Sequence, residues 1–215
     1  MKRERGQRAG AIGEPDAARD LARLRALIAD IGVAMLTTRG RDGRWVSRPV
    51  ATLAPFDGEL WFFTSAASHK AAELEADPRV NVAYASPRDN AFASLSGHAV
   101  LQRDRRRIAA LWSELQRVNF PGGPGDPDLV LIRVGVETAE YWDGPPSLVG
   151  RAVRFAAAAL TGDADLLGDN RTLRIEHGSD GVQARSLHGN TRGDAGRIER
   201  ARKTPAQSVR RRTSD

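Results

Sequence analysis

Apolar positions recur every three to four residues through "DAARDLARLRALIAD", placing Leu21, Leu24, Leu27 and Ile28 on one face of a predicted helix. The period then drops to two. "IGVAMLTTR" reads as a strand stopped by the turn signal Asp42-Gly43, "RWVSRPVATL" as a second ended by Phe56-Asp57-Gly58, and "ELWFFT" as a third. "SHKAAELEA" returns to the helical period, with Ser68 as N-cap and Asp77-Pro78 as the stop. "RVNVAYA" and "FASLSGHAVLQ" alternate as strands, and Asp104 caps a helix over "RRRIAALWSELQRV". After the loop "FPGGPGDPD", "LVLIRVGVETAEYW" predicts a long or bent strand, with a last helix over about residues 147–160. Six or seven strands joined mostly by tight turns favour a mainly β protein, an antiparallel sheet closed into a small barrel with short helices inserted. A doubly wound parallel sheet would need helices after nearly every strand, and the first three strands lack them.

The pattern fades at both ends of the 215-residue chain. The last forty residues hold no aromatic and few branched apolar side chains, too few to offset the entropy of ordering the chain. Residues 1–17 are expected to be a flexible basic lead, 18–166 the folded domain and 167–215 a disordered basic tail. Charge follows the same division. The tail from residue 176 holds nine Lys/Arg against five Asp/Glu and the first ten residues four against one. Of the net +6, only about −1 is left for residues 11–175. The basicity therefore belongs to the ends, and a solvated tail is preferred over a nucleic-acid-binding arm. The chain has no cysteine, which excludes disulfides, thiolate metal sites and cysteine nucleophiles. No apolar run approaches the ~18 residues of a membrane span, and "MKRERGQRAG" lacks the apolar stretch of a signal peptide, so no membrane contact and a cytoplasmic location are expected. Four scattered histidines give no metal-ligand spacing.

Candidate chemistry concentrates in "FFTSAASHKAAEL", residues 62–74, where a strand runs into a helix. A helix N-terminus offers unpaired N–H groups and a partial positive charge, and so suits an anion. Ser68 and Lys70 would add a hydroxyl and a full charge, and Thr64 and Ser65 further hydroxyls. If the second and third strands pair across Phe56-Asp57-Gly58, Arg48 falls at the same end of the sheet and completes a phosphate cradle. The plainer reading makes Ser68 a cap and Lys70 a solvated side chain. From this motif alone the two stand about even.

The stretch "SRPVATLAPFDGELWFFTSAASHKAAEL" resembles the flavin-binding core of the pyridoxamine 5'-phosphate oxidase-like FMN-binding split barrels, and within them the general stress protein branch. The similarity continues through "DPRVNVAYA", "SLSGHAVL" and "LWSELQRVNFPGGPGDPDLVLIRVGVETAEYWD", covering most of residues 20–165. By this resemblance Arg48, Ser68 and Lys70 would hold the FMN phosphate. Arg48, Pro49, Val50 and Ala51 would lie along the isoalloxazine ring, and Phe63 and Thr64 would flank the ribityl chain and phosphate. His69 stands where the oxidases commonly carry Arg. Such barrels form homodimers with flavin in the interface, so Trp142 would come from the partner subunit to wall off the ring; packing in its own core is the competing reading for Trp142 and Tyr141.

Departures from the pattern separate this chain from the oxidases proper. Leu53 stands where they carry a substrate-binding lysine, and "GPPSLVG" lacks the Arg and His that follow their interface Trp. The resemblance thus implies FMN as cofactor and a flavin-dependent oxidoreductase with a small-molecule redox partner, distinct from a pyridoxamine 5'-phosphate oxidase. The alternatives are a non-catalytic flavin carrier or redox sensor, or a related barrel binding F420 or haem.

Overall fold

The computed structural model describes residues 14–143, 169–178 and 181–187. Helix α1 (Glu14–Ile31) opens the fold, and its predicted apolar face is buried throughout, Leu24 and Ile28 to 1% exposure or less. Eight strands follow: β1 (Val33–Arg39), β2 (Trp45–Ala51), β3 (Glu59–Ser65), β4 (Arg79–Ser86), β5 (Ala91–Gln102), β6 (Leu129–Asp143), β7 (Asp169–Gly178) and β8 (Gly181–Ser186). Helix α2 (His69–Ala76) lies between β3 and β4, and α3 (Arg105–Leu111) between β5 and β6. All pairings are antiparallel, in the order β2-β1-β4-β5-β6-β7-β8.

The long β6 organises the sheet. One edge pairs with β5 along its length; the other takes β3 against Leu129–Gly135 and β7 against Thr138–Asp143. β5 and β6 shift register beside Gly97, where a Cβ would sit 2.0 Å from the Gly135 carbonyl oxygen, so only glycine permits this approach. Inward side chains including Leu36, Phe62, Val82, Leu95 and Val134 form the main core with the apolar face of α1. A second cluster lies on the other face of β3 and β6: Trp61, Phe63, Ile108, Leu129 and Leu131, edged by Leu53, Trp112 and Phe120. β3 is buried on both faces, which is why it reads as a continuous apolar run.

Four expectations need correction. β2 and β3 do not pair across Phe56-Asp57-Gly58; β2 pairs with β1 and β3 with β6. The segment from 167, expected to be disordered, carries the β7–β8 hairpin, which buries Leu173 and Ile175 against the main core. Its few apolar residues suffice because β6 supplies a ready edge and they alternate onto one face. α1 begins within the lead placed at residues 1–17, and Ala17 is already buried. The helix foreseen over "RRRIAALWSELQRV" breaks at Trp112 (ψ 135°), whose ring packs 5.9 Å from that of Phe63, and resumes as a 3-10 turn over Glu114–Val118. The helix expected over 147–160 lies outside the described residues.

Candidate functional site

Helix α2 starts where β3 ends, with Ser68 as its N-cap: the Ser68 hydroxyl accepts from the Ala71 amide at 3.2 Å and lies 3.1 Å from the Thr64 hydroxyl. Side chains alternate along β3, so Thr64 faces the cap while Phe63 faces the second cluster. Ser65 Oγ accepts from the Ala67 amide, which also donates to Asp128, and so Ser65 shapes the turn. The first amides of α2 have no partner within the helix, as at any helix start. The plain reading of Ser68 as a cap is correct.

Lys70, in the first turn of α2, is half-buried and makes no ion pair among the described residues. Burial pushes its ammonium below the ordinary lysine range, and the positive charge of Arg48 pushes the same way. Two cations thus face the start of one helix, an arrangement that an anion relieves.

Arg48 reaches this place from the inward face of β2, beside Val50, while Pro49 and Ala51 point outward and are exposed. It is not free. Its Nη1 donates to the Thr38 hydroxyl at 2.9 Å and lies 2.8 Å from Glu73 Oε2; its Nη2 donates to Glu73 Oε1 at 2.8 Å. Thr38 in turn donates to Glu73 Oε2 at 2.7 Å. Glu73 is only 9% exposed, and the Arg48 and Thr38 hydrogen bonds hold its carboxyl below the usual range against the opposing effect of burial. The sequence carries a signal for this. Glu73 follows Lys70 by three and adjoins Leu74, on the side of α2 that turns toward the barrel.

The fold therefore joins Thr64 to Ser68 at the start of α2 and Arg48 to Thr38 and Glu73 beside it, close enough for the Arg48 charge to act on Lys70. His69 is exposed at the rim. Phe63 and Trp142 are not brought there by side chain. Trp142 lies on the outer face of β6, 37% exposed, beside Phe92 of β5. β3 delivers Thr64 opposite Val130, and from Val130 to Trp142 the strand runs up to about 40 Å at ~3.3 Å per residue. Tyr141 points the other way, inward, and donates to Asp20 at 2.7 Å. Leu53 packs against the second cluster and offers no charge. Among the described residues no group of His, Asp and Glu could hold a metal ion, and no helix is long and apolar enough to cross a membrane.

Residues 19–165 match the model of the family described as "Pyridoxamine 5'-phosphate oxidase like". Protein bli-3 of Neurospora crassa is 31% identical over 139 residues, 60% of this chain and 66% of the relative, so the chain spans just under two thirds of that curated protein. Among solved structures, the general stress FMN/FAD binding protein of Xanthomonas citri is 30% identical, with TM-score 0.52, covering 59% of this chain and 89% of that one. A general stress family protein of Xanthomonas campestris pv. campestris is also 30% identical, with TM-score 0.53 and coverages of 63% and 92%. General stress protein 26 of Jannaschia sp. CCS1, at 23% identity and TM-score 0.58, covers 73% and 99% and shares the fold. With its antiparallel split barrel and a family match over more than half its length, this chain belongs to the pyridoxamine 5'-phosphate oxidase like family.

Proposed function

We propose that this chain binds FMN and serves as a flavin-dependent oxidoreductase for a small acceptor. The observation that carries the reading is the half-buried Lys70, without an ion pair among the described residues, beside Arg48 at the start of α2. Two cations, a helix N-terminus and the hydroxyls of Thr64 and Ser68 suit a phosphate monoester. Similarity to the FMN/FAD binding protein of Xanthomonas citri supports the same choice.

In this reading Lys70, Ser68 and the first α2 amides hold the phosphate, with Arg48 and Thr64 behind them and His69 at the rim. The β2 backbone from Arg48 to Ala51 meets the polar edge of the ring. When bound, the isoalloxazine supplies the transfer of electrons. The chain supplies position, charge and exclusion of water. Leu53, in place of a lysine, leaves no second phosphate site and argues against the pyridoxal phosphate-forming reaction.

The same reading makes the protein a homodimer. Val33 (55% exposed), Met35 (42%) and Trp142 lie with Phe92 and Pro49 on one outer sheet face, an apolar surface that a second copy would cover. Trp142 would then reach the flavin of the partner subunit.

The test is the visible spectrum of the purified protein, taken fresh and again after FMN is added and the sample desalted. A retained flavin spectrum is the expected result. A colourless protein that still refuses FMN would sink the reading. A nicotinamide oxidation assay on the loaded protein then separates an enzyme from a non-catalytic carrier or sensor.

A further inference from the structure

We infer that Glu73 is a positioning residue that competes with bound phosphate for Arg48, making the cradle weaker and more reversible than its two cations alone would make it. The inference rests on the phosphate-cradle reading above and asks how that cradle is set.

Both terminal nitrogens of Arg48 are committed inside the protein, to Glu73 and Thr38, in a two-pronged pair with every N···O distance at 2.8 or 2.9 Å. Among the described residues Nε–H and the second N–H of Nη2 have no partner. A phosphate at the start of α2 therefore meets a guanidinium whose recognition fork already holds a carboxylate. It can take one of these remaining N–H groups, feel the charge at a distance, or displace Glu73. Displacement is opposed, since it strands a buried carboxylate whose remaining partner would be the Thr38 hydroxyl.

Charge leads to the same conclusion. Arg48, Lys70 and Glu73 together carry one net positive charge where the two cations alone would carry two. A dianionic phosphate is attracted by the remainder and repelled by Glu73, one helical turn beyond Lys70. The device acts on the phosphate alone. Riboflavin, which has the ring and ribityl chain without the phosphate, would not sense it. That difference separates a charge-setting role from a structural one.

The experiment compares FMN and riboflavin affinities, by quenching of flavin fluorescence, in the wild-type chain and in Glu73→Gln. Glutamine keeps an oxygen for Arg48 and removes the charge. The expected result is FMN binding about tenfold tighter, the scale of one unit charge several ångströms away in a partly solvated site, with riboflavin affinity unmoved. Equal shifts for both flavins, or a fall in FMN affinity, would overturn the inference. Thr38→Val, which removes the hydroxyl that braces both partners, should shift the ratio the same way by a smaller factor, and it decides the matter if the Gln variant does not fold. A wild-type chain with no preference for FMN over riboflavin is a separate failure: it removes the cradle itself before any variant is made.

Discussion

Two carboxylates are buried to about the same degree in this barrel, and the fold treats them differently. Glu73 of α2 is 9% exposed and Asp20 of α1 is 8% exposed. Around Glu73 both oxygens are partnered, by a guanidinium and a hydroxyl. Around Asp20 one oxygen accepts from the Tyr141 phenol, while the other has no partner among the described residues. Burial pushes the Tyr141 phenol up, and the hydrogen bond and charge of Asp20 add to it. Equal burial therefore does not mean equal function. The first is a closed ion pair on α2, one turn beyond a lysine with no ion pair among the described residues; the second is a strut between α1 and β6.

The largest expected effect breaks the closed pair. Arg48→Met leaves Glu73 buried beside a thioether, and denaturant unfolding should show a loss of about 3 kcal/mol, the low end for a buried pair broken on one side because the Arg48 side chain keeps 27% exposure. A loss below about 1 kcal/mol would put the pair in the class of surface salt bridges. Next comes the strut. Tyr141→Phe removes the one donor to Asp20 and should cost about 1–3 kcal/mol, the penalty of an unsatisfied buried group. Asp20→Asn, by contrast, removes a charge that the surroundings only half satisfy, and its unfolding free energy should stay within about 1 kcal/mol of wild type. If Asn costs as much as Phe, the charge of Asp20 is itself structural and the comparison fails.

The smallest effect is the pH dependence. Because the folded protein holds the Glu73 carboxyl below its ordinary 4.5, the stabilisation is fully present above that value and is lost as pH falls through the lower folded one. The acid limb of stability should therefore flatten in Glu73→Gln. Unfolding midpoints measured from neutral pH down to pH 3 read this out, and identical limbs in the variant and the wild type would contradict it.

Much of the architecture was legible because local pattern and global fold agree. Leu21, Leu24, Leu27 and Ile28 form the buried face that their spacing predicts, Ser68 and Asp104 cap their helices, and β1 to β6 fall where alternation puts them. The residues of the candidate cradle were legible too, since a capped helix after a strand announces its own chemistry. Pairing was not. β2 and β3 are separated by a good turn signal, yet β3 joins β6, about seventy residues later, because both faces of β3 are apolar and only β6 with α3 can cover the outer one. Gly58 adds to this: its φ of +95° re-aims the chain, and a Cβ there would meet Val182 of β8 at 2.6 Å.

What the sequence determined by itself was the strands up to β6 and the helices α1 and α2, the barrel class and the residues at the start of α2. These depend on periods, caps and turns that neighbouring residues decide among themselves. Only the tertiary structure decided that a hairpin of the basic tail completes the sheet, that Glu73 and Arg48 meet, and that Trp142 sits at the end of β6 away from the part paired with β3. Each is an encounter between segments distant along the chain. Burial and charge pairing select such an encounter, and a local pattern carries no record of the partner.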